Sequence, residues 1–441
     1  MGAGPAGVSA AIEAAARGLS VTVLDENPAP GGRIWQALET RRLEDPDDIA
    51  ALGILRTFRS CPAQAVYGAG VWAIEPDGTV FFSHDGAAHS VQGSRILLAT
   101  GTTERSVPIP GWTLPGVMTV GAAQIALKTG GLVPDGGTWI AGQGPLLLLY
   151  TVQALRAGGL VAGVLDLSHP NRRWAAASHL TSASPGIGDL LQGIGWGREI
   201  ARAKIPWLRA SGLRAEGDGR LQRIVFSTKS GPRTEHADLL LLHDGVIPSV
   251  QVTRALGCEH RWNAMQQCWI PVTDDWGKTS EPHVYVAGDG GGIGGATAAT
   301  ASGGLAALGI AHDLGRIDVA ARDAAAAPLL ARRAKALAIR PLLDTLYIHR
   351  PLELADETLV CRCEEVSAGA IRQAAALGCL GLNQLKAFTR CGMGPCQGRM
   401  CAPTAAEVMA AARGVSVEQI EPLRTRFPTK PLTVGELAGL D

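Results

Sequence analysis

The chain has 441 residues, enough for about three domains at roughly 150 residues each. Forty Lys and Arg balance forty Asp and Glu, so no bulk charge draws the chain to a polyanion, and nucleic-acid binding is disfavoured without a local basic patch. Hydrophobic residues make up 46% and charged residues 18%, which excludes a disordered chain and calls for a large buried core.

Gly2-Ala3-Gly4-Pro5-Ala6-Gly7 opens the sequence as a GxGxxG. An Ala-rich helical stretch runs to about Gly18, and residues 21–24 alternate as a strand ending in Asp25-Glu26. This is most of a βαβ dinucleotide unit. Gly2 makes the tight turn, Gly4 lets a pyrophosphate approach, Gly7 lets helix and strand pack, and the helix N-terminus faces the phosphate through Pro5 and Ala6. Asp25 fits the acid that accepts from ribose hydroxyls, with Glu26 the alternative. The motif also calls for a preceding apolar strand, buried on both faces at the centre of the sheet, yet only Met1 stands before Gly2. The expectation is that this strand lies upstream of the given sequence rather than being replaced by another segment, and that stability and cofactor binding suffer without it.

Cys61 stands alone with Gln64 three residues on, so no CxxC redox pair is present there. Residues 96–101 read as a short strand ending in Ala99-Thr100-Gly101. Residues 139–147 suggest a second strand, turn and helix around Gly142 and Gly144, and a strand over 160–165 ends in Asp166. Here the third glycine position is Leu147, which hinders the close helix–strand approach. Arg172 and Arg173 follow and could meet a phosphate or form a solvated pair. His243 and His260 are single histidines and read as structural. Residues 284–289 form another strand, Val-Tyr-Val-Ala-Gly288-Asp289, with a small-residue helix from about Ala296 to Leu314. Taken alone, Asp289 reads as a helix N-cap.

Two charge-free stretches, 136–155 and 290–311, have the length to span a bilayer. A Gly-Gln-Gly-Pro in the first and eight glycines in the second deny them sustained apolar bulk, so no membrane span is expected. Met1 runs directly into a Gly-rich turn, which argues against a signal peptide and for a cytoplasmic protein.

Six of the nine cysteines, Cys361, Cys363, Cys379, Cys391, Cys396 and Cys401, fall within 41 residues. In a reducing compartment such a cluster suits a metal rather than disulfides. Ser367 is a good N-cap for a helix reaching Leu377, a second helix is expected after Asn383 to near Arg390, and a third from about Pro403. Cys379 is expected to pack as a small apolar residue. Four thiolates serve zinc and an iron–sulfur cluster equally well by spacing. The tail, with Pro422, Pro428 and Pro431, reads as extended.

The GAGPAG start, the Ala-Thr-Gly strand end and the late VYVAGD resemble the two-dinucleotide-domain flavoprotein family that includes glutathione and thioredoxin reductases. The resemblance implies FAD, with Asp289 bonding its ribityl chain or pyrophosphate, the helix after Gly288 facing the phosphates, and Gly31-Gly32-Arg33 beside the flavin. In that family the second nucleotide domain takes NAD(P)H; here Gly142, Gly144 and Asp166 would line it, and whether it holds NAD(P), another adenine nucleotide such as ATP, or nothing stays open. The CxC, the spacing of 33 from Cys363 to Cys396 and the GMGxCQGxxC segment resemble bacterioferritin-associated-ferredoxin-like [2Fe–2S] domains. That resemblance implies Cys361, Cys363, Cys396 and Cys401 as ligands, with Cys391 as the spare.

The implied fold class is α/β: two Rossmann-like dinucleotide-binding domains, the FAD domain discontinuous, plus a small, mainly helical C-terminal [2Fe–2S] domain. The boundaries are residues 1–115 and 270–330 for the FAD domain, 116–269 for the second nucleotide domain, 331–355 for a linker, 356–418 for the [2Fe–2S] domain and 419–441 for the tail. The whole order, with 242–248, 258–262 and 275–279, resembles the alpha (A) subunits of heteromeric dye-linked dehydrogenases of the opine oxidase, hydroxyproline or proline dehydrogenase and hydrogen cyanide synthase type. The resemblance implies a subunit that relays electrons while a smaller flavoprotein related to D-amino-acid oxidase oxidises the amine, with a quinone, dye or other carrier as acceptor. A self-sufficient NAD(P)H-dependent reductase and a non-catalytic, metal-stabilised regulatory or scaffold protein are the alternatives. No general base or nucleophile is evident.

Overall fold

The computed structural model describes every residue except 42, 44, 170, 350, 352 and 441. Pro5 takes the first helical position, where its missing N–H costs nothing, and starts the helix Pro5–Ala15. The strand Thr22–Asp25 follows and pairs in parallel with Gln64–Tyr67 after a crossover through the helix Pro46–Ser60. Ile96–Leu98 and Val284–Val286 form a second parallel pair. Residues 1–3 lie between the two pairs. The Met1 amine donates to the Leu97 carbonyl at 2.8 Å, the Met1 carbonyl accepts from Ala99 N–H at 2.8 Å, and Gly2 N–H donates to the Leu24 carbonyl at 2.7 Å. The central position for which the sequence offers only Met1 is thus held by residues 1–3 themselves, not by another segment.

The helix Ala296–Asp313 closes this unit against Pro5–Ala15. A Cβ on Gly303 would lie 2.0 Å from the Ala6 carbonyl oxygen, so the two helices meet backbone to backbone. Ala10, Ala14 and Ala307 continue the small-residue crossing. An antiparallel meander, Gly70–Ile74, Thr79–His84 and Ala87–Gln92, packs Val71, Ile74, Val80 and Phe82 onto Leu24 and Leu98.

A five-stranded parallel sheet forms the second unit, in the order Trp207–Arg209, Gly163–Asp166, Thr138–Gln143, Leu239–Asp244, Val117–Thr119. Its strand Leu239–Asp244 carries Leu240, Leu241 and Leu242, all buried, as a parallel sheet covered on both faces requires. Val120, Leu147 and Tyr150 cover one face; Leu213, Ile224 and Phe226 of a three-stranded antiparallel sheet cover the other.

The stretch expected as a linker, 331–355, is largely helical instead. The helix Val319–Leu337 runs into it and Arg340–Leu346 follows, packing Leu342 against Ala176 and Ala183; Arg350 and Leu352 lie outside the described residues. At the C-terminal end a short hairpin, Leu359–Cys361 with Val366–Ser367, leads into helices Ala368–Ala376, Leu382–Thr389 and Ala402–Arg413 around Ile371, Leu385 and Met409. Ser367 caps the first of these by accepting from Ala370 N–H. The second begins at Leu382, earlier than expected, with Gly381 at its N-cap; Asn383 lies in its first turn, where its amide donates to the Pro422 carbonyl and its oxygen accepts from Arg424 N–H. The tail itself, up to Leu440, is extended apart from the short helix Val434–Ala438; Asp441 lies outside the described residues. Among the described residues no helix is long and apolar enough to cross a membrane.

A buried polar network joins the C-terminal helices to the parallel sheet. The His349 ring sits between the Asp244 carboxylate and Glu407 Oε1, the latter at 2.7 Å, and Arg105 lies 3.7 Å from the same Glu407 oxygen. Ser106 Oγ donates to the Met400 carbonyl and Trp112 Nε1 to the Leu359 carbonyl. Burial and the Arg105 charge push the His349 imidazole down, but its bonds to Asp244 and Glu407 outweigh both and its pKa is raised. Such a group contributes stability that is fully present below the unfolded value of about 6.5 and is lost as pH climbs through the folded value. The melting temperature should therefore fall between about pH 6 and about pH 9. His349→Gln should flatten that slope and cost about 3–5 kcal/mol at the lower pH, since it removes the cation that bridges two buried carboxylates and leaves Arg105 alone to offset both. Scanning calorimetry at both pH values checks this, and an unchanged slope in the variant contradicts it.

Candidate dinucleotide and cysteine centres

A cavity of about 410 Å³ opens at the meeting point of the two parallel strand pairs, within the usual size of cofactor sites, about 300–1,000 Å³. Gly2, Gly4, Pro5, Ala6, Asp25, Glu26, Gly32, Arg33, Thr100, Gly101, Gly288 and Asp289 all line it. Five segments of the chain thus converge on one cavity. Gly7 is the exception: it stands behind the wall, where a Cβ would come 1.8 Å from the Gly2 carbonyl oxygen. Gly32 has φ +56° and its Cβ position lies 2.9 Å from Gly4 Cα, so two backbones close this end without side chains between them. A dinucleotide needs that kind of bare backbone cradle.

The two acids differ in availability. Asp25 is buried and already engaged: one oxygen accepts from Ala3 N–H at 2.5 Å, the other from both the backbone and side-chain N–H of Asn27 at 2.7 Å. Glu26 reaches the cavity edge and pairs with Lys430. Burial pushes Glu26 up, but Lys430, Arg33 and Arg399 outweigh it and hold the carboxyl low. Asp289 caps the turn before the long helix, one oxygen accepting from both Gly294 and Gly295 N–H at 2.9 Å. Its burial raises its pKa against those two donors and the Arg340 charge.

The cysteine loop abuts this cavity. The sulfurs of Cys361, Cys391 and Cys401 lie within 4.8 Å of one another, and Cys363 Sγ is 3.9 Å from Cys396 Sγ. The Cys401 thiol, together with the N–H groups of Met400 and Gly398, holds Cys396 low; Cys401, bonded to Cys391 and Cys396, is pushed up. The four cysteines expected as ligands are therefore gathered with Cys391 among them, whereas Cys379 is buried apart and donates to the Gly381 carbonyl. The donor set, five soft thiols with backbone N–H groups aimed at one of them, fits a thiolate-held iron–sulfur centre.

The second expected nucleotide site is poorly formed. Gly144 and Asp166 line a cavity of only about 70 Å³, narrowed by Leu147, Leu346 and Tyr347, with Arg173 at its edge. Gly142 is not at that cavity; its Cβ position lies 1.7 Å from the His243 carbonyl oxygen, so it is a glycine for packing between strands. His243 bonds Glu104, and His260 bonds Thr253 and the Cys258 carbonyl. Sequence reasoning missed Asn27, Arg399, Thr429 and Lys430 at the large cavity. Only the Asn two residues past Asp25 left a local signal, that of an Asx turn.

The family described as pyridine nucleotide-disulphide oxidoreductase matches residues 1–130 and 199–303, and the sarcosine oxidase A3 domain matches 355–440. The A subunit of opine oxidase from Rhizobium meliloti is 43% identical over 100% of this chain and 86% of its own length, and that from Agrobacterium tumefaciens (strain Ach5) is 41% identical over 100% and 91%. The HcnB subunit of hydrogen cyanide synthase from Pseudomonas aeruginosa is 34% identical over 100% and 98%. The crystal structure of L-proline dehydrogenase from P. horikoshii superposes with a TM-score of 0.74 at 19% identity, covering 99% of this chain and 78% of that one, a likeness of fold.

Gly394 passes so close to Cys363 that a Cβ would lie 2.1 Å from the Cys363 Cβ. Gly394→Ala should therefore lose most of the bound iron. Gly193→Ala, at a position with open space, should keep it. Iron content per chain checks the pair, and full iron in Gly394→Ala contradicts the packing argument.

Proposed function

The chain belongs to the family of opine oxidase A subunits, and we propose that it relays electrons in a heteromeric dehydrogenase that oxidises an opine, amino acid or related secondary amine. It is a FAD-dependent oxidoreductase chain that works in a complex with at least one other subunit. FAD accepts a hydride and gives up electrons singly, and a [2Fe–2S] centre carries one electron, so the pair converts two-electron oxidation into single-electron delivery.

The observation that carries this reading is the shared wall: Arg399, between Cys396 and Cys401, lines the dinucleotide cavity. In this reading the bare backbone of Gly4 and Gly32 admits the pyrophosphate, Glu26 rather than the engaged Asp25 takes the ribose hydroxyls, and Asp289 with the helix Ala296–Asp313 orients the remaining phosphate and ribityl groups. Gly2, Pro5, Ala6, Arg33, Thr100, Gly101 and Gly288 complete the wall. Cys361, Cys363, Cys396 and Cys401 are the proposed cluster ligands, with Cys391 held in reserve among them. The amine is oxidised on a smaller flavoprotein partner related to D-amino-acid oxidase, and a quinone, dye or other carrier takes the electrons. A nicotinamide-driven reductase is disfavoured by the roughly 70 Å³ cavity, which a dinucleotide enters only by displacing Leu346 and Tyr347.

Purified with its partner, the full chain should be coloured, should contain iron and acid-labile sulfide in equal amounts, and should not be bleached by NADH. Cys363→Ser and Cys396→Ser should each lose the cluster absorbance, whereas Cys391→Ser should retain it. Visible spectra with metal and sulfide assays test all of this; zinc without iron, or rapid bleaching by NADH, contradicts the proposal.

A further inference from the structure

We propose that residues 428–430 form a clasp over the FAD cavity that is fastened by the cysteine loop, so that the grip on FAD depends on that loop holding its metal-loaded fold. The inference rests on the reading that FAD occupies this cavity. The tail leaves the C-terminal helices at Ile420, which is buried in their core, and by Phe427 it packs against the meander of the first unit. At the crossing, Thr429 is buried and its N–H donates to the Trp72 carbonyl at 2.7 Å. The next residue, Lys430, lines the cavity and pairs with Glu26, the acid proposed for the ribose.

Two side chains of the cysteine loop hold this segment. Gln397 Nε2 donates to the Pro428 carbonyl at 3.1 Å, and the Arg399 guanidinium donates to the Thr429 carbonyl at 2.6 Å. Both residues lie between Cys396 and Cys401, and Arg399 itself lines the cavity. Gln397 is in the left-handed region, φ +49°, a conformation that is strained for a residue with a side chain and persists only where the surroundings enforce it. Tying Cys396 and Cys401 to one centre enforces it; releasing them lets the loop relax, and the two donors move off the clasp. Lys430 then loses its fixed place beside Glu26. Lys430 is thus a positioning residue, acting on the flavin through Glu26, and because coupling of binding free energies is reciprocal, bound FAD steadies the loop in turn.

The test uses the full-length chain and follows the fluorescence of released FAD after dilution, with iron measured in parallel. Stripping the iron with a chelator should speed FAD release about tenfold in the unaltered chain, toward the lower end of the usual range of affinity change for coupled sites. Lys430→Met should speed it to a similar extent with iron retained, Lys430→Arg should restore slow release, and chelation of Lys430→Met should add little more. Release that ignores chelation, or effects of chelation and Lys430→Met that multiply as independent events, overturns the clasp. A chain that purifies with iron but never takes up FAD overturns instead the reading of the cavity on which the clasp rests.

Discussion

Arg399 stands two residues from Cys401 and three from Cys396, and its guanidinium forms part of the wall of the dinucleotide cavity. Much else in the molecule serves that adjacency. A helical unit of C-terminal sequence has to be seated against a cavity built from the first and third quarters of the chain. The cysteine loop is the seam. A positive charge there faces thiolates on one side and the ribose acid on the other, and the Arg399 guanidinium is itself lowered in pKa, first by burial, against the pull of Cys396 and Glu26. Electron passage between a flavin and a cluster needs short distance before it needs any catalytic side chain.

The seat is made by buried polar contacts rather than by surface charge. His349 between Asp244 and Glu407, Arg105 near Glu407, Ser106 on the Met400 carbonyl and Trp112 on the Leu359 carbonyl join three sequence regions over a short span. Paired buried charges of this kind add little net stability over well-packed apolar residues, but breaking one partner is costly. They therefore suit a junction that must have one arrangement. The second parallel sheet contributes Asp244 and Gln143 to this junction, and Gln143 also lines the narrowed cavity. In this chain that sheet reads better as a structural platform than as a working nicotinamide site.

The parts of the site that were legible beforehand are those with local signatures. GxGxxG, the strand ending in Asp25-Glu26, Ala99-Thr100-Gly101 and Gly288-Asp289 each declare themselves within a few residues, because tight turns and phosphate cradles need glycine at fixed offsets. That Ala3 and Asn27 already occupy Asp25, which bears on its ranking against Glu26, was not legible. Nor could spacing order five gathered thiols. Gly142 had the right motif for the wrong reason, packing on a strand that arrives about a hundred residues later. Thr429 and Lys430 lie more than 400 residues from Glu26 and carry no pattern of their own; only the tertiary path of the tail brings them to the cavity. The supposed linker failed for a similar reason: its apolar residues fill a gap under Ala176 and Ala183 that exists only once the second unit has folded.

In the proposed relay, a flavin held in the cavity and a cluster held by the cysteine loop exchange electrons within one chain. Anaerobic illumination of the full-length chain at a wavelength absorbed by flavin, with a sacrificial donor present, tests it most directly when low-temperature electron paramagnetic resonance follows the cluster. Light taken up by the flavin should produce the signal of the reduced iron–sulfur centre. A flavin that bleaches fully while the cluster stays oxidised, although a chemical reductant reduces it, would contradict it.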